Sequence, residues 1–128
     1  MILTIRTDKP EAEIGLYKDG KKLAYKTWPA HRELSSNLHL QIAKILQSQE
    51  TDWPDIEGVV VYKGPGSFTG LRIGISVANA LAYGNNCPII SDTGDDWINS
   101  GIERLSKDKN EQSVLPEYGA APHITIPK

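Results

Sequence analysis

The sequence predicts an α/β domain: a mixed five-stranded sheet with two crossover helices. Three observations carry that reading. Asp19-Gly20 joins two apolar-patterned runs and supplies the positive φ of a tight hairpin turn. Leu34, Leu38, Ile42, Ile45 and Leu46 recur at helical intervals. Gly58-Val59-Val60-Val61-Tyr62, β-branched and aromatic, reads as a strand buried on both faces, and a glycine-rich turn leads from it into a second helical pattern.

Taken in order, Ile2 to Thr7 is the first strand and Glu11 to Tyr17 the second, with Asp8-Lys9-Pro10 as an exposed turn between them. Lys22 to Trp28 pairs antiparallel as the third strand, and Pro29 ends it. The first helix lies between His31 and Gln49; Arg32, Ser35, Ser36, Gln41 and Lys44 cover its polar faces. Trp53-Pro54-Asp55 connects it to a strand from Ile56 to Tyr62. The second helix runs from Ser67 to Tyr83, where Leu71, Ile75, Ala78 and Ala82 form a stripe broadened by Val77 and Leu81, and Gly84-Asn85-Asn86 stops it. Pro88-Ile89-Ile90 is a short last strand, and Asp95 to Leu105 a short helix. Ser106 to Ser113 is a polar linker and Val114 to Lys128 a proline-punctuated tail, in which Thr125 between Ile124 and Ile126 suggests an edge strand. Strand–helix–strand alternation requires crossovers, and those are right-handed. The expectation is one domain over 1–128, with its core in 1–105 and a linker and tail in 106–128.

A chain of 128 residues suits one such core. Hydrophobic residues at 39% and charged residues at 23% fit a globular domain and exclude a disordered one. The 14 Lys and Arg against 16 Asp and Glu give a formal net charge of -2, so no basic excess points to nucleic acid, and any RNA contact is expected to be indirect. Cys87 is the only cysteine, which excludes an intrachain disulfide and a multi-cysteine zinc site. The start, Met1-Ile2-Leu3-Thr4-Ile5-Arg6, has neither a basic segment nor a long apolar run, and no later stretch is long enough to span a bilayer. The cytoplasm is the expected address, with no membrane partner.

The stretch with most to say is Gly64-Pro65-Gly66-Ser67-Phe68-Thr69-Gly70-Leu71-Arg72-Ile73-Gly74. A strand, a glycine turn and a helix N-terminus bring backbone N–H groups together, where an anion or a close neighbour can meet them. A Walker A loop needs G-x-x-x-x-G-K-[ST], but Gly64 and Gly70 have five residues between them and are followed by Leu71-Arg72, so that motif fails. Arg72 remains open as a phosphate contact or a surface ion-pair partner. Gly64, Pro65 and Gly66 read as a turn, and Ser67 and Thr69 as capping residues. Gly70 and Gly74 each cost the helix about 1 kcal/mol against alanine. With Ala78 they are spaced four apart, making a face that admits a close neighbour. That neighbour is either this chain's own sheet or a second protein.

The eleven residues from Gly64 to Gly74 closely resemble the signature of the TsaB family, also called YeaZ. The order of elements through about residue 90 agrees, and Leu115-Pro116-Glu117-Tyr118 is similar to a Pro-x-Tyr segment near the end of such proteins. The resemblance implies half of the ribonuclease-H-like fold shared with the actin, hexokinase and Hsp70 ATPases. It implies a non-catalytic scaffold that binds TsaD directly, through helices of both proteins, and meets TsaE through the complex. TsaD then carries out the threonylcarbamoyladenosine modification of adenosine 37 in tRNA. On this implication Leu34, Leu38, Gly70, Leu71, Gly74 and Ala78 are the expected partner face, and a homodimer through the same face is open.

Two departures bear on activity. Family members carry a second subdomain, which the sequence is expected to lack. They also end the first strand with Asp-Thr, where this chain has Arg6-Thr7, and an arginine cannot hold the metal that such an acid organises in related ATPases. No catalytic residue, no metal and no cofactor of the chain's own are therefore expected; ATP or ADP at an interface with TsaD stays open. The alternative is a small nucleotide-binding or ATP-hydrolysing protein that uses the glycine loop. A peptidase is disfavoured: His31 and His39 are eight residues apart, His123 lies in the tail, and Cys87 precedes an apolar run with no histidine pattern. His39 reads as a helix-surface residue, and Trp28, Trp53 and Trp97 as core or rim packing.

Overall fold

A computed structural model describes residues 1–30 and 34–115, the side chains of Leu34 and Ser35 excepted. The expectations for His31, Arg32, the tail strand, His123 and the Pro-x-Tyr segment lie outside the described residues. Five strands, β1 (Ile2–Arg6), β2 (Glu11–Lys18), β3 (Lys21–Pro29), β4 (Gly58–Tyr62) and β5 (Ile89–Asp92), form one sheet in the order β3-β2-β1-β4-β5. β2 pairs antiparallel with β1 and β3, while β4 is parallel to β1 and β5. The helices are α1 (Leu34–Ser48), α2 (Phe68–Asn85) and α3 (Trp97–Ser106).

The hairpin turns on Asp19 and Gly20, with φ of 52° and 76°. Val59, Val60 and Val61 have no exposure, because helices cover both sides of β4. α2 packs on β1, β4, β5 and α1, and α1 reaches β2 and β3. Leu3, Ile5, Ile14 and Leu16 share their pleat with Val59 and Val61 and meet Leu38, Ile42, Leu46, Leu71 and Ile75 in one core. On the opposite pleat, Val60 touches Gly101 of α3, whose added Cβ would come within 2.4 Å of Val60 Cγ1.

Boundaries moved where a cap decided them. β4 starts at Gly58 rather than Ile56, because Ile56 closes a 3-10 turn over Trp53–Asp55 that Asp52 caps. α2 runs on to Asn85, and it is Asn86, left-handed at φ 52°, that ends it.

The expected polar linker is in part a strap along β5. Asn110 Oδ1 accepts from Ile89 N at 3.0 Å, Glu111 N donates to Ile89 O at 2.9 Å, and Glu111 Oε2 accepts from Ser91 N at 2.9 Å. Asn79 of α2 then clamps the strap: its Nδ2 donates to Val114 O at 3.1 Å and its Oδ1 accepts from Val114 N at 2.9 Å. Asn79→Ala is expected to lower stability by about 1–2 kcal/mol, one hydrogen-bond contribution for each bond lost. Urea melts measure the loss, and limited proteolysis is expected to cut the variant faster between residues 107 and 114.

Candidate functional site

Where the parallel strands β1 and β4 end, the chain places an ion pair instead of a lone acid. Arg6 Nε donates to Asp8 Oδ1 at 2.7 Å, and the guanidinium carbon lies 3.8 Å from the centre of the Tyr62 ring. Tyr62 in turn donates its hydroxyl to Pro65 O at 3.0 Å and meets Trp97 edge-on at 5.9 Å. Asp8, expected in an exposed turn, has a side chain only 7% exposed. It lies against the glycine loop: a Cβ on Gly66 would come within 2.5 Å of Asp8 Cβ. Gly64 takes φ 119°, which requires glycine, and its bond to Pro65 is cis.

This loop is poorly suited to a phosphate. A carboxylate already stands against it, with its charge countered by Arg6. Arg72, the cation within the motif, is exposed and stacks 5.4 Å from the centre of the Phe68 ring. Ser67 caps α2, its Oγ accepting from Gly70 N at 3.5 Å. Thr69 lies within the first turn of α2 and is no cap. Among the described residues no group of three or more His, Cys, Asp or Glu is placed to hold a metal ion, and no helix is long and apolar enough to cross a membrane.

The expected partner face needs correcting. Leu38, Leu71 and Ala78 have no exposure at all, so they cannot be touched from outside the folded chain. Gly70 and Gly74 pack on β1's end: an added Cβ would lie 2.1 Å from Thr7 O at Gly70 and 2.2 Å from Thr7 Oγ1 at Gly74. Thr7 Oγ1 donates to Gly70 O at 2.6 Å, tying strand to helix. The neighbour that these glycines admit is the chain's own first strand. The Leu34 side chain lies outside the described residues.

What α2 presents outward is a different stripe. Phe68 is 52% exposed and Tyr83 89%, and between them Arg72, Ser76 and Ala80 are exposed at four-residue spacing. On α1, Leu40 is 49% exposed. The sequence carries this stripe as the complement of the core stripe, two small residues bracketed by aromatics.

The remaining candidates stay structural. Burial pushes the Cys87 thiol above its ordinary pKa, which suits packing and not nucleophilic attack. His39 is exposed and stands 6.3 Å from Trp53, ring centre to ring centre. Trp28 and Trp97 are buried and Trp53 packs against the core.

Glu13 on the far pleat pairs with Lys9 and accepts from the Tyr25 hydroxyl. Burial pushes its carboxyl up, but the bonds from Lys9 and Tyr25 prevail and hold it below its ordinary value of 4.5. A folded carboxyl more acidic than the unfolded one stabilises the fold above the unfolded pKa, and that stabilisation disappears as pH falls through the folded value. Urea midpoints measured at about pH 6 and about pH 3 are therefore expected to differ less in Glu13→Gln than in the native chain.

The comparisons with known proteins agree with this geometry. The family model of TsaD, tRNA N6-adenosine threonylcarbamoyltransferase, matches residues 29–91. The tRNA threonylcarbamoyladenosine biosynthesis protein TsaB of Escherichia coli K12 is 38% identical over 94 residues, covering 70% of this chain and 38% of that protein. A tRNA N6-adenosine threonylcarbamoyltransferase of Geotalea daltonii is 41% identical over 63 residues, 45% of this chain and 18% of that one. The solved structure of YeaZ from Pseudomonas aeruginosa superposes with a TM-score of 0.66 at 23% identity, over 72% of this chain and 43% of that one. The sheet order and helix placement thus define a ribonuclease-H-like α/β domain. Over the residues it shares with these relatives, the chain belongs to the TsaB family, also called YeaZ. It spans about two fifths of the length of the E. coli relative.

Proposed function

We propose that this chain is a non-catalytic partner of TsaD in the threonylcarbamoyladenosine modification of tRNA, and that it docks on TsaD through the outer faces of α1 and α2. Similarity to proteins named for that pathway supports the first half. The observation that carries the second is the exposed stripe Phe68–Arg72–Ser76–Ala80–Tyr83. Small side chains at Ser76 and Ala80 let a partner helix approach to about 8 Å between axes, the lower end of helix packing distances. Phe68 and Tyr83 at either end are the aromatic anchors that such interfaces favour, and Leu40 of α1 extends the apolar surface. In this reading the chain holds TsaD in its working arrangement, TsaE joins through the complex, and the transfer to adenosine takes place on TsaD.

The end of the sheet supports the non-catalytic part. Arg6 engages the carboxylate that stands beside the glycine loop, and Asp8 fills the space over Gly66. We assign ATP or ADP to the interface with TsaD and none to the isolated chain. Equilibrium dialysis with labelled ATP and magnesium is expected to show no retention by the chain alone; retention would return the nucleotide-binding reading. Co-expression of the tagged chain with TsaD of the same organism tests the partnership. TsaD is expected to be retained with the chain, and its passage through the column unbound would overturn the proposal.

A further inference from the structure

The net charge of -2 hides a local reversal. Lys18, Lys21, Lys22 and Lys26 stand in the β2–β3 hairpin with Asp19 as the only acid among residues 18–26. Among the described residues none of these four lysines takes part in an ion pair. Lys18, Lys21 and Lys22 are exposed. β3 is an edge of the sheet, and α3 packs on β4 and β5, at the other end from it.

Beside Lys22, on the same pleat, stands an aromatic ring held in place, while Lys18 and Lys21 pair on the opposite pleat next to the turn. Tyr25 is 36% exposed, its hydroxyl is bound to Glu13, and its ring packs over Gly15, where a Cβ would lie 2.7 Å from Tyr25 Cδ1. Lys22 Nζ is 5.4 Å from the centre of that ring. Burial and the Glu13 bond raise the Tyr25 pKa, so the phenol stays protonated and the ring stays pinned. A fixed ring with an ammonium 5.4 Å from its centre joins a surface for stacking to a phosphate contact.

We infer that the β2–β3 hairpin is a contact for unpaired RNA, in which Tyr25 stacks a base, Lys22 meets the phosphate beside it, and Lys18 and Lys21 meet the backbone where it passes the turn. The inference deepens the function proposed above and rests on it for the identity of the RNA as the anticodon loop of tRNA. An acidic protein segment would satisfy the lysines but gain little from the pinned ring. Lysines that merely guard an edge strand against pairing would bind no RNA at all.

The test is fluorescence anisotropy of a labelled anticodon stem–loop RNA with the full chain across a salt series. The triple variant Lys18→Gln, Lys21→Gln, Lys22→Gln is expected to flatten the log–log salt dependence by about 2, at roughly 0.7 per lost single-strand phosphate contact. Tyr25→Ala is expected to weaken binding about tenfold, and Tyr25→Phe, which keeps the ring, to weaken it far less. Circular dichroism melts verify that each variant is folded. No binding by the native chain, unchanged binding by both variants, or equally tight binding of a glutamate-rich peptide would each overturn the inference. Co-purification of TsaD with the triple variant is read separately. Lost RNA binding with TsaD retained isolates the hairpin, whereas RNA binding without TsaD would sink the scaffold reading and leave the hairpin contact standing.

Discussion

Replacing Gly74 with leucine is expected to destabilise the domain rather than strip it of a partner. The first atom of any side chain at this position would lie 2.2 Å from Thr7 Oγ1 and 3.2 Å from Thr7 Cβ, so β1 and α2 must part. Leucine gains the helix about 1 kcal/mol in propensity over glycine. Overpacking costs about 1–3 kcal/mol or more, and parting the two elements also breaks the Thr7–Gly70 hydrogen bond, worth about 1 kcal/mol. Gly70→Ala meets backbone rather than side chain, at 2.1 Å from Thr7 O, and backbone cannot rotate away. A net loss of about 2 kcal/mol for Gly70→Ala, roughly 8 °C in Tm, and more for Gly74→Leu, is the expected outcome of thermal melts. A native Tm for Gly74→Leu would mean that β1 and α2 are not packed as described.

The complementary substitution is Ala80→Arg. Ala80 is exposed, so a long side chain there finds solvent in the free chain and is expected to change stability by less than about 0.5 kcal/mol. In a complex built on the α2 stripe the same arginine would stand where two helices approach most closely and would hold their axes apart. Loss of a central contact of this kind costs about 2 kcal/mol or more, so affinity for TsaD is expected to fall at least thirtyfold, read by isothermal titration. Tyr83→Ala, at 89% exposure in the free chain, is expected to act in the same direction by removing an anchor. The pair of substitutions separates two roles that the sequence alone runs together, since Gly74 serves the fold and Ala80 the surface.

Most of the architecture was legible because it is local. Asp19-Gly20 can do little but turn a hairpin, and three consecutive valines without polar alternation need cover on both faces. What stayed hidden was set by distant partners. The small-residue face of α2 is written in Gly70 and Gly74, but its occupant, Thr7, lies 63 residues before Gly70, and periodicity carries no address for such a contact. Asp8-Lys9-Pro10 reads as an exposed turn from composition, yet Arg6 and Gly66 enclose Asp8. The polar run after Ser106 reads as a linker because the groups that hold it, Ile89, Ser91 and Asn79, belong to other elements. The hairpin lysines were missed for another reason: a whole-chain charge averages them away.

Whether this chain works by holding TsaD is decided by light scattering on a size-exclusion column loaded with the two purified proteins. A single species at the summed mass is expected for the native chain, and separate peaks when Ala80→Arg is loaded instead. Separate elution of the native chain and TsaD, or an undiminished complex with Ala80→Arg, would contradict that role.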